Sequence, residues 1–136
     1  MNNRLALSAE SIVDEALSLI RSEGHSALSM RALAGRMGVT APAFYDHFSS
    51  RDDLLRACAQ AGYGVLNDRF EAAAPATAIA MAWQASRIYV SFALDEPQLF
   101  RLMFLFRPGS IEIDADNELP AATTLFDTMV GNLGQA

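Results

Sequence analysis

Gly38 constrains the fold of this chain more than any other residue. It follows at once on Met30, Leu33, Ala34 and Met37. Those four repeat at i, i+3, i+4 and i+7, so they form one apolar stripe on a short helix. A glycine just past such a stripe takes the left-handed conformation that ends a helix. Thr40 then suits the N-cap of a second helix, and Pro42 is tolerated in its first turn. Phe44 and Phe48 lie four apart and turn inward together, which leaves Thr40, Ala41, Pro42, Tyr45 and His47 on other faces. Ser50-x-x-Asp53 resembles a capping box, with Asp in place of the usual Glu, and opens a further helix. The stretch from Ser29 to Leu54 thus reads as two short helices across a tight turn, followed by the capped start of a third.

A short helix with a small, polar outer surface, held by a second helix across a glycine turn, is the helix-turn-helix geometry that enters the DNA major groove. On these residues the segment resembles the DNA-binding domain of the TetR family of transcriptional regulators. Ser29-Met30-Arg31-x-Leu33-Ala34 matches the family's second helix, and Gly38-Val39-Thr40 its turn. Phe44-Tyr45-x-His47-Phe48 matches the end of the recognition helix, and Ser50-Arg51-Asp52-Asp53-Leu54-Leu55 the start of the fourth. Upstream, Ile12-Val13-Asp14-x-Ala16 and Ile20-x-x-x-Gly24 resemble the first helix.

The resemblance implies an all-α fold, with a DNA-binding domain over residues 1–53 and a partial helical ligand-binding and dimerisation domain over 54–136. It implies a ligand-responsive regulator, a repressor released from a palindromic double-stranded operator by a small apolar or amphipathic effector. The DNA-facing set is Arg31, Thr40, Ala41, Pro42, Ala43, Tyr45, His47 and Arg51. The Tyr45 hydroxyl and a His47 nitrogen suit phosphate oxygens, and such contacts fix register on the duplex. Thr40 is first an N-cap. Ala41, Pro42 and Ala43 fit thymine methyls. Arg51 stands where the family commonly has Lys; the charge survives, but its planar fork reaches phosphate differently. Asp46 departs from the basic or polar residue often seen there and reads as pointing to solvent.

Charge stands against this reading. The 136-residue chain carries a net charge of −6, and it has no lysine. A basic surface is the usual footprint of a DNA-binding domain. Positive charge toward DNA must be local, on Arg4, Arg31, Arg36 and Arg51, and non-specific affinity should be weak. The alternative is a helical small-molecule-binding module without DNA binding.

The first helix is expected over about 9–23, with Ser8 as N-cap, Gly24 as stop, and Ile12, Val13, Ala16, Leu17, Leu19 and Ile20 on its buried side. His25 reads as a solvated loop residue. A long fourth helix turns Leu54, Leu55, Cys58, Val65, Leu66 and Phe70 inward. Gly62 and Gly64 within it suggest close packing or a kink, since each costs about 1 kcal/mol relative to Ala. Residues 72–77 form a joint around Pro75. A fifth helix follows over about 76–94 and a sixth, apolar nearly all round and so buried, over 97–106. Pro108-Gly109 breaks it, residues 110–118 form an acidic loop, and a seventh helix runs over about 121–133. The family continues through two further long helices that form most of its dimer interface, so this chain is expected to dimerise poorly, the longer form being a homodimer.

Trp83, Tyr89, Phe92, Phe100, Met103, Phe104 and Met129 are the candidate lining of an effector cavity, because ligand sites in bundles lie between helices. For any one of them, plain core is the commoner role. Cys58, the single cysteine, falls on an inward stripe and reads as a small buried hydrophobe. No nucleophile elbow, P-loop, HExxH or CxxC occurs, so neither an enzyme nor a metal or other cofactor is expected. No apolar run reaches the ~18 residues of a membrane span and no signal peptide is read, so a cytoplasmic location is expected.

Overall fold

The computed structural model describes residues 7–73 and 77–105. Every regular element among them is helical, as expected: α1 (Ala9–Glu23), a single 3-10 turn (His25–Ala27), α2 (Met30–Met37), α3 (Ala41–Tyr45), α4 (Arg51–Ala73), α5 (Ala78–Asp95) and α6 (Pro97–Met103). The chain divides into two compact units, 1–58 and 59–136. Arg4, Pro75, Pro108-Gly109, the acidic stretch 110–118, Met129 and the seventh helix lie outside the described residues.

In the first unit, α1 begins and ends where its caps place it. Ser8 accepts from the Ser11 amide at 3.1 Å, and the Ser11 hydroxyl accepts from the Ser8 amide at 3.0 Å, which closes a capping box. Gly24 stops the helix at a φ of 83°, a conformation glycine takes without strain. Ile12, Ala16, Leu17, Leu19 and Ile20 are buried, while Val13 is only half-buried. Ser29 caps α2 by accepting from the Ala32 amide at 3.0 Å. Gly38 ends α2 in the left-handed region at φ 68°. The Val39 amide then returns to the Ala34 carbonyl at 3.0 Å, in the pattern of a Schellman motif. Arg36 reaches back to α1, with Nε 2.9 Å from Glu15.

At the start of α4 the capping box is shifted by one residue. The Asp53 amide donates to the Ser50 hydroxyl at 3.1 Å, as expected. The Asp53 carboxylate, however, accepts from the amide of Ser49 at 2.9 Å, not from that of Ser50. Leu54, Leu55 and Cys58 close the core of this unit. Burial alone pushes the Cys58 thiol up to about 12, so it is the inert buried hydrophobe that its position suggests.

In the second unit, the inward face of α4 runs Ala59, Gly62, Tyr63, Leu66, again at i, i+3, i+4 and i+7. That register leaves Val65 exposed, against expectation, and Phe70 half-buried. Close packing at Gly62 is confirmed: a Cβ there would lie 2.9 Å from Met103 Sδ and 3.0 Å from Leu99 Cδ1. Thr77 caps α5, accepting from the Ala80 amide at 3.2 Å. α6 is shorter than expected and is not buried all round. Leu99, Leu102 and Met103 turn inward, but Phe104 and Leu105 past its end are exposed. No helix among the described residues is long and apolar enough to cross a membrane.

Candidate nucleic-acid interface

α3 is a five-residue helix, and its two faces differ sharply in chemistry. Phe44 and Phe48 are buried beneath it. The Phe44 carbonyl accepts from the amides of both His47 and Phe48 at 2.9 Å, which tightens the end of the helix and fixes where those side chains leave it. Outward lie Thr40, Pro42, Tyr45, Asp46 and His47, all exposed, with Ala41 and Ala43 half-buried between them. Tyr45 is 55% exposed. A phenol left that open on a helix that buries both neighbouring phenylalanines has no packing role to account for it.

Thr40 has the extended backbone of an N-cap, at φ −81° and ψ 145°, but its side chain makes no capping hydrogen bond. Its hydroxyl is therefore not committed to the helix. Asp46 faces solvent, as expected. Arg31 is exposed on α2 and has no ion-pair partner among the described residues. Arg36 is held between Glu15, at 2.9 Å, and Glu23, at 3.9 Å, so its charge is partly offset on its own unit.

Arg51 is engaged within the protein. Its Nε donates to the Leu28 carbonyl at 2.7 Å and its Nη2 to the His25 carbonyl at 2.8 Å. Those acceptors lie 23 and 26 residues upstream. Sequence patterns gave no sign of this, because a backbone carbonyl carries no residue signature. His25 is correspondingly part of a held turn, half-buried, and not an open loop residue.

Three aromatic residues of the second unit gather around Phe100. Tyr89, Phe92 and Phe104 each meet it edge-on, with centroids 5.2, 6.3 and 4.8 Å away. Phe92 and Met103 are buried, Phe100 half-buried, Tyr89 and Phe104 exposed at one side. Trp83 is not part of this cluster and is 73% exposed. Among the described residues no group of His, Cys, Asp and Glu could hold a metal ion.

Residues 12–58 match the family model described as bacterial regulatory proteins, tetR family. The chain is 42% identical over 55 residues to the tetracycline repressor protein class C of Escherichia coli, a match covering 40% of this chain and 25% of that protein. It is similar in structure to a protein of unknown function from Rhodococcus, with a TM-score of 0.80 and 28% identity, covering 100% of this chain and 71% of the other. It is also similar to a possible TetR family transcriptional regulator from Streptomyces coelicolor, with a TM-score of 0.73 and 26% identity, over 95% of this chain and 58% of the other. The matches to curated relatives span about a quarter of those proteins' length. The matched residues 12–58 are those that build most of α1, all of α2 and α3, and the first turns of α4, so the likeness to the tetR family of bacterial regulatory proteins is carried by these helices.

Proposed function

We propose that this chain is a ligand-responsive, DNA-binding transcriptional regulator, a repressor released by a small-molecule effector. The observation that carries the reading is α3. Phe44 on it and Phe48 just past its end are buried, while Pro42 and Tyr45 on it and Thr40 and His47 flanking it are exposed, and α2 packs against it. In this reading Tyr45, His47 and Thr40 meet phosphate oxygens, with Arg31 beside them, and Ala41, Pro42 and Ala43 meet base edges. Residues 1–53 form the DNA-binding domain and 54–136 part of a helical ligand-binding and dimerisation domain in a cytoplasmic protein. The repressor among the relatives supports the direction of control.

The effector site in this reading is the aromatic ground around Phe100, with Tyr89, Phe92, Met103 and Phe104; Trp83 and Met129 are candidates for it from the sequence alone. Its occupant is apolar or amphipathic. Binding there and binding to DNA are linked by a coupling free energy. In a homodimer on a palindromic operator the two recognition helices sit one turn of the duplex apart, about 34 Å, so a few ångströms of spreading prevents simultaneous docking.

The test is enrichment of duplexes from a random pool by the chain, followed by gel-shift titration of the enriched duplex at several salt concentrations. Saturable binding that strengthens as salt falls is expected. The second reading, a helical small-molecule-binding module without DNA binding, is favoured by the net charge of −6. A chain that enriches no duplex and shifts none at low salt would establish that second reading.

A further inference from the structure

We propose that Arg51 is a positioning residue of the DNA-binding unit. Its guanidinium clamps the turn that precedes α2 onto the first turn of α4, and so sets the pose of α2 and α3. Its contribution to DNA binding comes through that clamp and not through a phosphate. The proposal rests on the DNA-binding reading above.

The turn needs such a clamp. The chain leaves α1 through Gly24 at φ 83°, and α2 does not begin until Ser29 has capped it. Between them the 3-10 turn His25–Ala27 has, among the described residues, two internal backbone bonds, both long: Ala27 N–H to Gly24 O and Leu28 N–H to His25 O, each at 3.2 Å. One-turn 3-10 segments have poor hydrogen-bond geometry of their own. The direction in which the chain enters α2 is therefore set by whatever holds this turn from outside.

Arg51 holds it at both ends. His25 opens the turn and Leu28 follows it, and the guanidinium donates to both carbonyls, at 2.8 and 2.7 Å. Leu28 also anchors its side chain in the core, so its carbonyl is a fixed target. Both bonds are charge-assisted and short. The planar fork of a guanidinium reaches two acceptors at once in a set geometry; a lysine ammonium carries the same charge without that fork. The remaining nitrogen, Nη1, lies 3.7 Å from the Asp52 carboxylate, which offsets part of the charge a phosphate would meet. The chain has arginine here where a simple phosphate contact would be served equally by lysine.

Arg51→Lys and Arg51→Ala separate clamp from charge. Amide exchange is measured on the free protein, and duplex binding at several salt concentrations on the enriched DNA. The clamp predicts that both variants lower protection of the Leu28 amide by about tenfold or more, the scale of one lost bond to a charged group, while α5 amides keep theirs. Both variants should weaken the enriched duplex by about tenfold or more with an unchanged salt slope. The proposal is overturned if Arg51→Lys keeps wild-type affinity while Arg51→Ala lowers the slope by about one per half-site, the signature of a phosphate contact. Unchanged Leu28 protection in both variants overturns it as well. Should Arg51→Ala not fold, Arg51→Lys alone decides between retained and lost protection. A wild-type chain that binds no duplex would refute the DNA-binding reading, whereas exchange at Leu28 reads the clamp without DNA.

Discussion

Tyr63 donates its hydroxyl to the carbonyl of Met103, 40 residues further along the chain, at 3.1 Å. The bond ties the middle of α4 to the last residue of α6. One residue earlier, Gly62 presents bare backbone to the same partner, with Met103 Sδ and Leu99 Cδ1 at the places a Cβ would crowd. Gly62 and Tyr63 together form the contact by which α6 sits on α4.

Two glycines on one helix make this testable. Gly64→Ala should stabilise the protein by roughly 1 kcal/mol, because nothing lies within 4 Å of the added Cβ and Ala is the better helix former. Gly62→Ala gains the same propensity but must displace Leu99 and Met103, an overpacking cost of about 1–3 kcal/mol. It should therefore be neutral or destabilising. Tyr63→Phe should cost about 1 kcal/mol for the lost hydrogen bond. Chemical denaturation of the three variants ranks them directly, and a Gly62→Ala as stabilising as Gly64→Ala would show that the contact is loose.

α3 gives the second prediction. Tyr45 is exposed and packs in no core, so Tyr45→Ala should leave helix content and stability nearly unchanged. If its hydroxyl meets a phosphate, binding to the enriched duplex should weaken by about 1–2 kcal/mol, as for a hydrogen bond to a charged group. Circular dichroism and gel-shift titration of one preparation give both halves. Unaltered affinity would remove Tyr45 from the interface.

Much of the first unit is legible in its sequence because local signals decide it. Ser8, Gly24 and Gly38 bound their helices whatever surrounds them, and Phe44 with Phe48 can only face inward together. Legibility fails where the partner is backbone or a distant element. The Arg51 clamp uses carbonyls, which leave no mark in the sequence. In the second unit, periodicity correctly makes α5 an apolar helix but cannot say which of its faces is covered. Of its apolar residues Ile79, Trp83, Tyr89, Val90 and Phe92, only Phe92 is buried. Val65 fails for a related reason: Gly62 looks like no hydrophobic residue, yet it occupies the centre of the inward stripe and shifts the register.

A pH prediction follows from Cys58. Its thiol is raised by burial from an ordinary 9.0 to about 12. In the unfolded chain it ionises near 9, while in the folded protein it keeps its proton. The unfolded state then binds fewer protons, so stability is fully present below about pH 9 and is lost as pH rises toward 12, by roughly 1.4 kcal/mol per unit from this group. Cys58→Ala removes that slope and adds a pH-independent loss from the small cavity. Denaturation midpoints at pH 7, 9 and 10 for both proteins test this; parallel declines would mean that the thiol is not the cause.

The last prediction concerns the uncovered side of α5. Ile79, Trp83, Val90 and Leu94 fall within about 60° of one another around the helix at 100° per residue, and all four are exposed. They form one apolar stripe, and a stripe of that kind on a soluble surface promotes association. Trp83 is the single tryptophan, so its emission reports on this stripe alone. In dilute solution emission should resemble that of a solvent-exposed indole. As concentration rises into the micromolar range it should shift to the blue, together with polydisperse association in sedimentation. Trp83→Ser with Leu94→Ser should abolish the association while leaving helix content unchanged, since neither side chain supports the core. Blue emission at the lowest measurable concentration would show that the stripe is already covered within one chain. A single monodisperse dimer would show that the surface closes on a specific copy, and the expectation of poor dimerisation would fail.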